Sequence, residues 1–284
     1  MKLVFRHMLV TALAPLVWGS TYIVTSTILP PDRPITAACL RVLPVGLLMV
    51  LGHRHLPKGA WWGRALVLGA LNIALFQAAL FVAAYRLPGG VAATLGAIQP
   101  LLVGILVWPL VGIKPRPLVL GAGLLGVAGV ATLVLTPQAA LDGIGVAAAL
   151  GGAACMALGM ALTLRWRPPV SMLVFTSWQL VAGGVLLAPA ALWFEPALPP
   201  LSLLQVGAYA YLGLIGAGIA YVLWFRGLTV LPAATVSALG LLSPVSATLL
   251  GWVLAGQGLG GWQWAGAGLV LTSVWLTQKG GARK

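Results

Sequence analysis

The 284 residues are 61% hydrophobic and 7% charged, with a mean hydropathy of +1.05; a water-soluble domain carries about 25% charged residues and could not cover so much apolar surface. The net charge of +13 is scattered between apolar runs rather than gathered on one face, which sets nucleic acid aside as a partner. In hydrocarbon the backbone must satisfy its own hydrogen bonds, and long unbroken apolar runs select helices over the alternating segments of a barrel.

Runs long enough to cross a bilayer, about 17–25 residues, fall at 8–29, 35–52, 63–85, 89–111, 118–135, 143–164, 171–193, 202–225, 232–255 and 262–278. The first resembles a signal peptide behind Lys2 and Arg6, but its length to Leu29 predicts a retained helix. Short connectors hold the breakers, among them Pro30-Pro31, Pro57, Pro88, Pro137, Pro168-Pro169 and Pro199-Pro200. With ten crossings and a cytoplasmic N-terminus, the inner segments collect Arg54, Lys58, Arg64, Lys114, Arg116, Arg165, Arg167, Arg226 and Lys279. The outer loops then keep only Arg33 and Arg86, with all three acids, Asp32, Asp142 and Glu195. This lopsided distribution predicts both termini in the cytoplasm of a bacterial inner membrane.

Along the chain, the first run carries Trp18, Thr21, Tyr22 and Thr25 at three- and four-residue spacing, one stripe on a helix. Such a stripe either lines a cavity or packs between helices. In the second run Arg41 is the one ionised residue well inside a span. At a helix centre Arg costs about 2.5–3.5 kcal/mol on insertion scales, so it reads either as an anchor for a solute carboxylate or as a side chain that snorkels or bonds a neighbouring carbonyl. Asn72 and Gln77 in the third run point roughly 140° apart at 100° per residue, so one of the two is expected in the cavity. Phe81 and Tyr85 share the face of Gln77.

The segment Pro88–Pro100 lines up with Pro232–Pro244, the prolines twelve residues apart in both. Trp108 then matches Trp252, and Gly121-Ala-Gly-Leu matches Gly266-Ala-Gly-Leu after a one-residue shift. Gln99 and Ser243 occupy equivalent places before a proline that frees a backbone carbonyl one turn back. A duplication of five helices, an odd number, inserts the second copy upside down, and inverted repeats are the architecture of alternating-access carriers. The expected fold is therefore an all-α membrane protein of ten transmembrane helices, with halves at 1–138 and 139–284 around a central cavity. Trp178, Trp224 and Tyr221 lie deep enough to line it, whereas Trp61, Trp62, Trp193, Trp262 and Trp264 read as an interfacial belt. Cys39 and Cys155 read as small hydrophobes.

At Trp18-Gly19-Ser20-Thr21, the two proline-bounded helices and the Gly-Ala-Gly-Leu openings, the sequence resembles the drug/metabolite transporter superfamily, in its EamA-type branch, over essentially the whole chain. Within that branch it is similar to the YddG-type amino-acid exporters. The resemblance implies a ten-helix exporter with a cavity between inverted halves. The expected solute is a small metabolite, an amino acid with a neutral or aromatic side chain, carried by a monomer in the lipid bilayer. The candidate binding residues are Trp18, Tyr22, Arg41, Asn72, Gln77, Phe81, Tyr85, Gln99, Trp178, Tyr221 and Ser243. No Asp or Glu lies within a span, so uncoupled facilitated diffusion is expected over proton-coupled export of cations. His7, His53 and His55 sit at the membrane edges, and no metal-ligand spacing, H-E-x-x-H or P-loop occurs. Neither catalysis nor a metal or cofactor is expected, and the alternatives are a proton-coupled exporter of drugs or other metabolites, a channel-like pore and, more remotely, a membrane-embedded transferase.

Overall fold

A computed structural model of the chain describes residues 2–87, 95–134, 142–255 and 260–281, and these are helical with short connectors and no strand. In order the helices are α1 (Lys2–Thr27), α2 (Pro34–His53), α3 (Trp61–Arg86), α4 (Gln99–Val111), α5 (Pro117–Val134), α6 (Gly143–Trp166), α7 (Met172–Phe194), α8 (Leu203–Val230), α9 (Ala233–Leu239, then Leu242–Ala255 after a turn at Gly240) and α10 (Gly261–Gly281). Seven are long and apolar enough to cross a membrane, and two more, Gln99–Val111 and Pro117–Thr132, are shorter apolar helices. The predicted runs find these helices, although α1 and α10 extend further toward the termini. The predicted start of the fourth run, and Pro88 and Thr94 with it, lie outside the described residues.

Caps close the helices at the ends where the acids lie. The Asp142 carboxylate accepts the Gly145 N–H at 2.7 Å and pairs with Arg86 at 3.3 Å. Glu195, at the end of α7, accepts the N–H groups of Ile35 and Thr36 at 2.6 and 2.7 Å, the orphan donors of the first turn of α2. At the opposite ends His53 Nε2 meets the Ser177 hydroxyl at 2.7 Å, and Arg116 donates to the Gly280 carbonyl.

Helix pairing repeats with a shift of five. α2 packs on α7 and α5 on α10; α1 lies against α8 and α9, and α6 against α3 and α4. Glycines allow the close approaches, as membrane helices without a hydrophobic drive between them require. A Cβ on Gly46 of α2 would fall 2.8 Å from the Leu180 Cβ, and one on Gly184 of α7 would fall 2.6 Å from the Leu43 Cβ.

Two helices share an irregularity. α3 contains a π-turn at Ala70–Leu75 and α8 one at Leu214–Ile219, 144 positions later, the same separation as between Pro88 and Pro232. A π-turn adds a residue to a turn and loosens the backbone ladder, so that carbonyls become available to other partners.

Candidate solute-binding cavity

A cavity of about 120 Å³ lies between α1, α2, α3, α4, α6, α8 and α9. One water takes roughly 10–15 Å³ on that measure, so the space suits one small molecule. α1 contributes Trp18, Thr21 and Tyr22, α2 contributes Arg41, α3 contributes Phe76, Gln77, Leu80 and Ala83, and α8 contributes Tyr221 and Trp224. Gln99 and Pro100 enter from α4, and Ser237, Gly240, Ser243 and Pro244 from α9. A face of α6 made of Ala149, Gly152, Ala153 and Met156 completes the wall.

The α8 π-turn organises the polar part. The Gly216 carbonyl accepts two hydrogen bonds, from the Trp18 indole N–H at 2.8 Å and from Arg41 Nη2 at 3.1 Å. The guanidinium lies close over the Gly216 Cα, where an added Cβ would sit 3.4 Å from Nη2, in van der Waals contact. Arg41 is 1% exposed, and its Nε and Nη1 have no partner among the described residues. The ion pair found among those residues, Arg86–Asp142, is exposed and remote from it. Arg41 therefore does not snorkel: it bonds a carbonyl and also faces the cavity.

Beside it, Gln77 Nε2 donates to the Tyr221 hydroxyl at 2.7 Å. These two residues are themselves 144 positions apart, each two residues beyond its π-turn. Aromatic rings fill the bundle from the cavity toward the Trp61 end of α3. Trp18 lies 5.2 Å from Tyr221 and 5.1 Å from Trp224, Tyr221 stacks on Phe225 at 5.7 Å, and Phe225 meets Phe175, which meets Trp61. On the other side the lining tapers to Ala83, Gly96, Ala97 and Ala149. One end of the cavity is thus plugged by large rings and the other walled by small residues.

Of the candidates read from the sequence, Trp18, Tyr22, Arg41, Gln77, Gln99, Tyr221 and Ser243 come together on this cavity. Four do not. Asn72 is fully buried against α6 and α7, where its Nδ2 donates to Gln179 Oε1 at 2.7 Å. Phe81 is buried beneath the Arg41 guanidinium, whose carbon lies 6.0 Å from the ring centre. Tyr85 donates to the Pro30 carbonyl at 2.9 Å, closing the α1–α2 connector. Trp178 donates to the His55 carbonyl at 2.7 Å and packs beside Trp61 near the start of α7. Each four-residue step overshoots a helical turn by about 40°, so Gln77, Phe81 and Tyr85 drift off one face, and the cavity follows Phe76, Leu80 and Ala83 instead. Trp61, expected at the interface, turns inward, while Trp62, Trp193, Trp262 and Trp264 stay exposed. Sequence reading also passed over Ser237 and Met156. The small-residue face of α6 at Gly152, Ala153 and Met156 was the one available signal.

Among the described residues no group of three or more His, Cys, Asp or Glu side chains gathers to hold a metal. The EamA-like transporter family model matches the chain twice, over residues 6–135 and 143–278. The chain is 40% identical over 267 residues to Protein PecM of Dickeya dadantii, covering 93% of this chain and 90% of that protein. It is 31% identical over 274 residues to the uncharacterized inner membrane transporter YedA of Escherichia coli K12, covering 93% and 88%. A crystal structure at 22% identity superposes with a TM-score of 0.78 over 98% of this chain and 99% of that one, which shows the shared fold. Matched over both stretches, and with apolar helices enclosing a central cavity, the chain belongs to the EamA-like transporter family and is a multi-pass membrane transporter.

Proposed function

We propose that the chain is a secondary carrier exporting small metabolites, specifically amino acids with neutral or aromatic side chains, from the cytoplasm of a bacterial cell. Its halves, 1–138 and 139–284, are inverted repeats that rock about the central cavity as a monomer, with both termini cytoplasmic. The observation that carries this reading is a small cavity lined by helices of both halves and walled on one side by packed rings. A cavity sealed at one end is what alternating access needs, whereas a pore needs a continuous path. The helix pairing shifted by five and the two π-turns 144 positions apart support the repeat. The absence of Asp or Glu from the predicted spans supports facilitated diffusion without proton coupling, and the lining holds none of the carboxylate, His or Cys groups that a transferase would use.

Counterflow tests it. Liposomes bearing the purified protein and loaded with unlabelled phenylalanine, leucine or alanine should take up the labelled amino acid saturably and faster than unloaded ones. Non-saturable flux without trans-stimulation would make the protein a pore. Uptake that rises steeply with an imposed pH gradient would make it proton-coupled.

A further inference from the structure

Five side-chain atoms of the lining residues are buried without a partner among the described residues: Arg41 Nε and Nη1 and Trp224 Nε1 can only donate, Ser237 Oγ can do either, and Gln77 Oε1 can only accept. The cavity thus holds one full positive charge, with spare donors around it and no carboxylate among its lining residues. An unpaired buried charge is costly, and each free N–H of Arg41 is oriented in a fixed fork that matches a carboxylate. The ammonium of an amino acid finds no carboxylate among the lining residues, and two of the lining rings, Trp18 and Tyr221, already pack against other rings.

We infer that the cavity is a carboxylate site, in which Arg41 Nε and Nη1 take the anionic group of an aromatic or apolar monocarboxylate and the α-ammonium of an amino acid is not recognised. The inference rests on the carrier reading above and narrows it. Amino acids enter by their carboxylate, and acids of the same shape that lack the amine enter at least as well. Trp224 Nε1 and Ser237 Oγ are the further donors for the second carboxylate oxygen or for a 2-oxo group.

Three probes of one shape separate the possibilities in the full-length protein: 3-phenylpropionate (acid only), L-phenylalanine (acid and amine) and L-phenylalanine methyl ester (amine only). Thermal unfolding in detergent reads binding, because a ligand of the folded state raises the midpoint. Both acids should raise it, phenylpropionate at least as much as phenylalanine, and the ester should bind at least tenfold more weakly. In Arg41→Gln the shift by both acids should vanish, and Arg41→Lys should recover part of it. Counterflow of labelled phenylpropionate should follow the same ranking. An ester that binds as tightly as the acid would overturn the carboxylate assignment and leave the carrier reading standing, as would stabilisation by chloride equal to that by phenylpropionate. Silence from all three probes in both binding and counterflow would overturn the inference and the amino-acid reading together. The wild-type ranking decides the matter even if the Arg41 variants fail to fold.

Discussion

In α3 the π-turn presents Asn72, and α7 answers it with Gln179; in α8 the turn 144 positions later presents Gly216, and α2 answers it with Arg41. The partners correspond too, since Arg41 stands five residues before Gly46 and Gln179 five before Gly184, the two glycines at the α2–α7 crossing. One π-turn is closed by a neutral amide pair and packed shut. The other leaves a bare carbonyl, shared by Trp18 and Arg41, with Arg41 Nε and Nη1 buried without a partner among the described residues. A loosened helix turn can therefore serve as a packed joint or as a binding site, and what decides is whether its side-chain partner is a neutral amide held away from the cavity or a guanidinium that lines it. The predictions below break or sharpen that distinction.

The largest effect is expected at the joint. A Cβ on Gly159 of α6 would overlap the Asn72 amide, which is held by Gln179 and has nowhere to move. Gly159→Ala should lower stability by about 3 kcal/mol, the upper end for overpacking. Gly216→Ala at the other turn meets only the end of the Arg41 side chain at 3.4 Å, an ordinary contact, and should stay within about 0.5 kcal/mol. Thermal unfolding of both purified variants checks this, and equal losses would erase the distinction between the two turns.

Next come the partners themselves. Gln179→Leu leaves Asn72 buried without its acceptor and should cost about 1–2 kcal/mol. Arg41→Met removes a buried charge that has no counter-ion and should leave the unfolding midpoint unchanged or raise it. A clear fall in the Arg41→Met midpoint would mean that Arg41 belongs to the scaffold. Smaller again is Tyr221→Phe, which takes the hydroxyl from Gln77 Nε2 while keeping the ring stack with Trp18 and Phe225. It should cost about 1 kcal/mol in stability. In counterflow its effect on half-saturation should be much smaller than that of Arg41→Gln.

Much of this was legible in the residues and some was hidden. Apolar run length located the helices because the bilayer sets one length scale. Arg41, Gln99 and Ser243 pointed to the cavity because a charge, and polar groups beside a helix-breaking proline, are costly in lipid without a role. What could not be read was rotation. A π-turn leaves no composition signature, yet its extra residue shifts helical phase by roughly 100°, so the face that Asn72 presents could not be extrapolated from Gln77. Depth was equally misleading for Trp178, which lies only seven residues into α7, about 10 Å at 1.5 Å per residue, and serves the His55 connector. The gathering of Trp224 and Ser237 on one cavity with Arg41 emerges only when helices distant in sequence meet.

The smallest effect belongs to the exposed link across the same pair of helices that the Asn72–Gly159 contact joins in the interior. Asp142 caps α6 and reaches Arg86 at the end of α3, with side chains 39% and 45% exposed. The Gly145 N–H, with help from Arg86, holds its carboxyl below the ordinary carboxylate value. A depressed folded pKa means that the cap stabilises above the unfolded pKa near 3.8 and is lost as pH falls through the lower folded value. Asp142→Asn should therefore lower the unfolding midpoint slightly at neutral pH, and the gap from wild type should close between about pH 5 and 3. A gap that stays constant into acid would show that the α3–α6 contact is held by packing around Gly145, whose added Cβ would strike Leu87 at 2.6 Å. The charge of Asp142 would then contribute nothing to joining the helices, and both the buried and the exposed ends of that contact would rest on glycine alone.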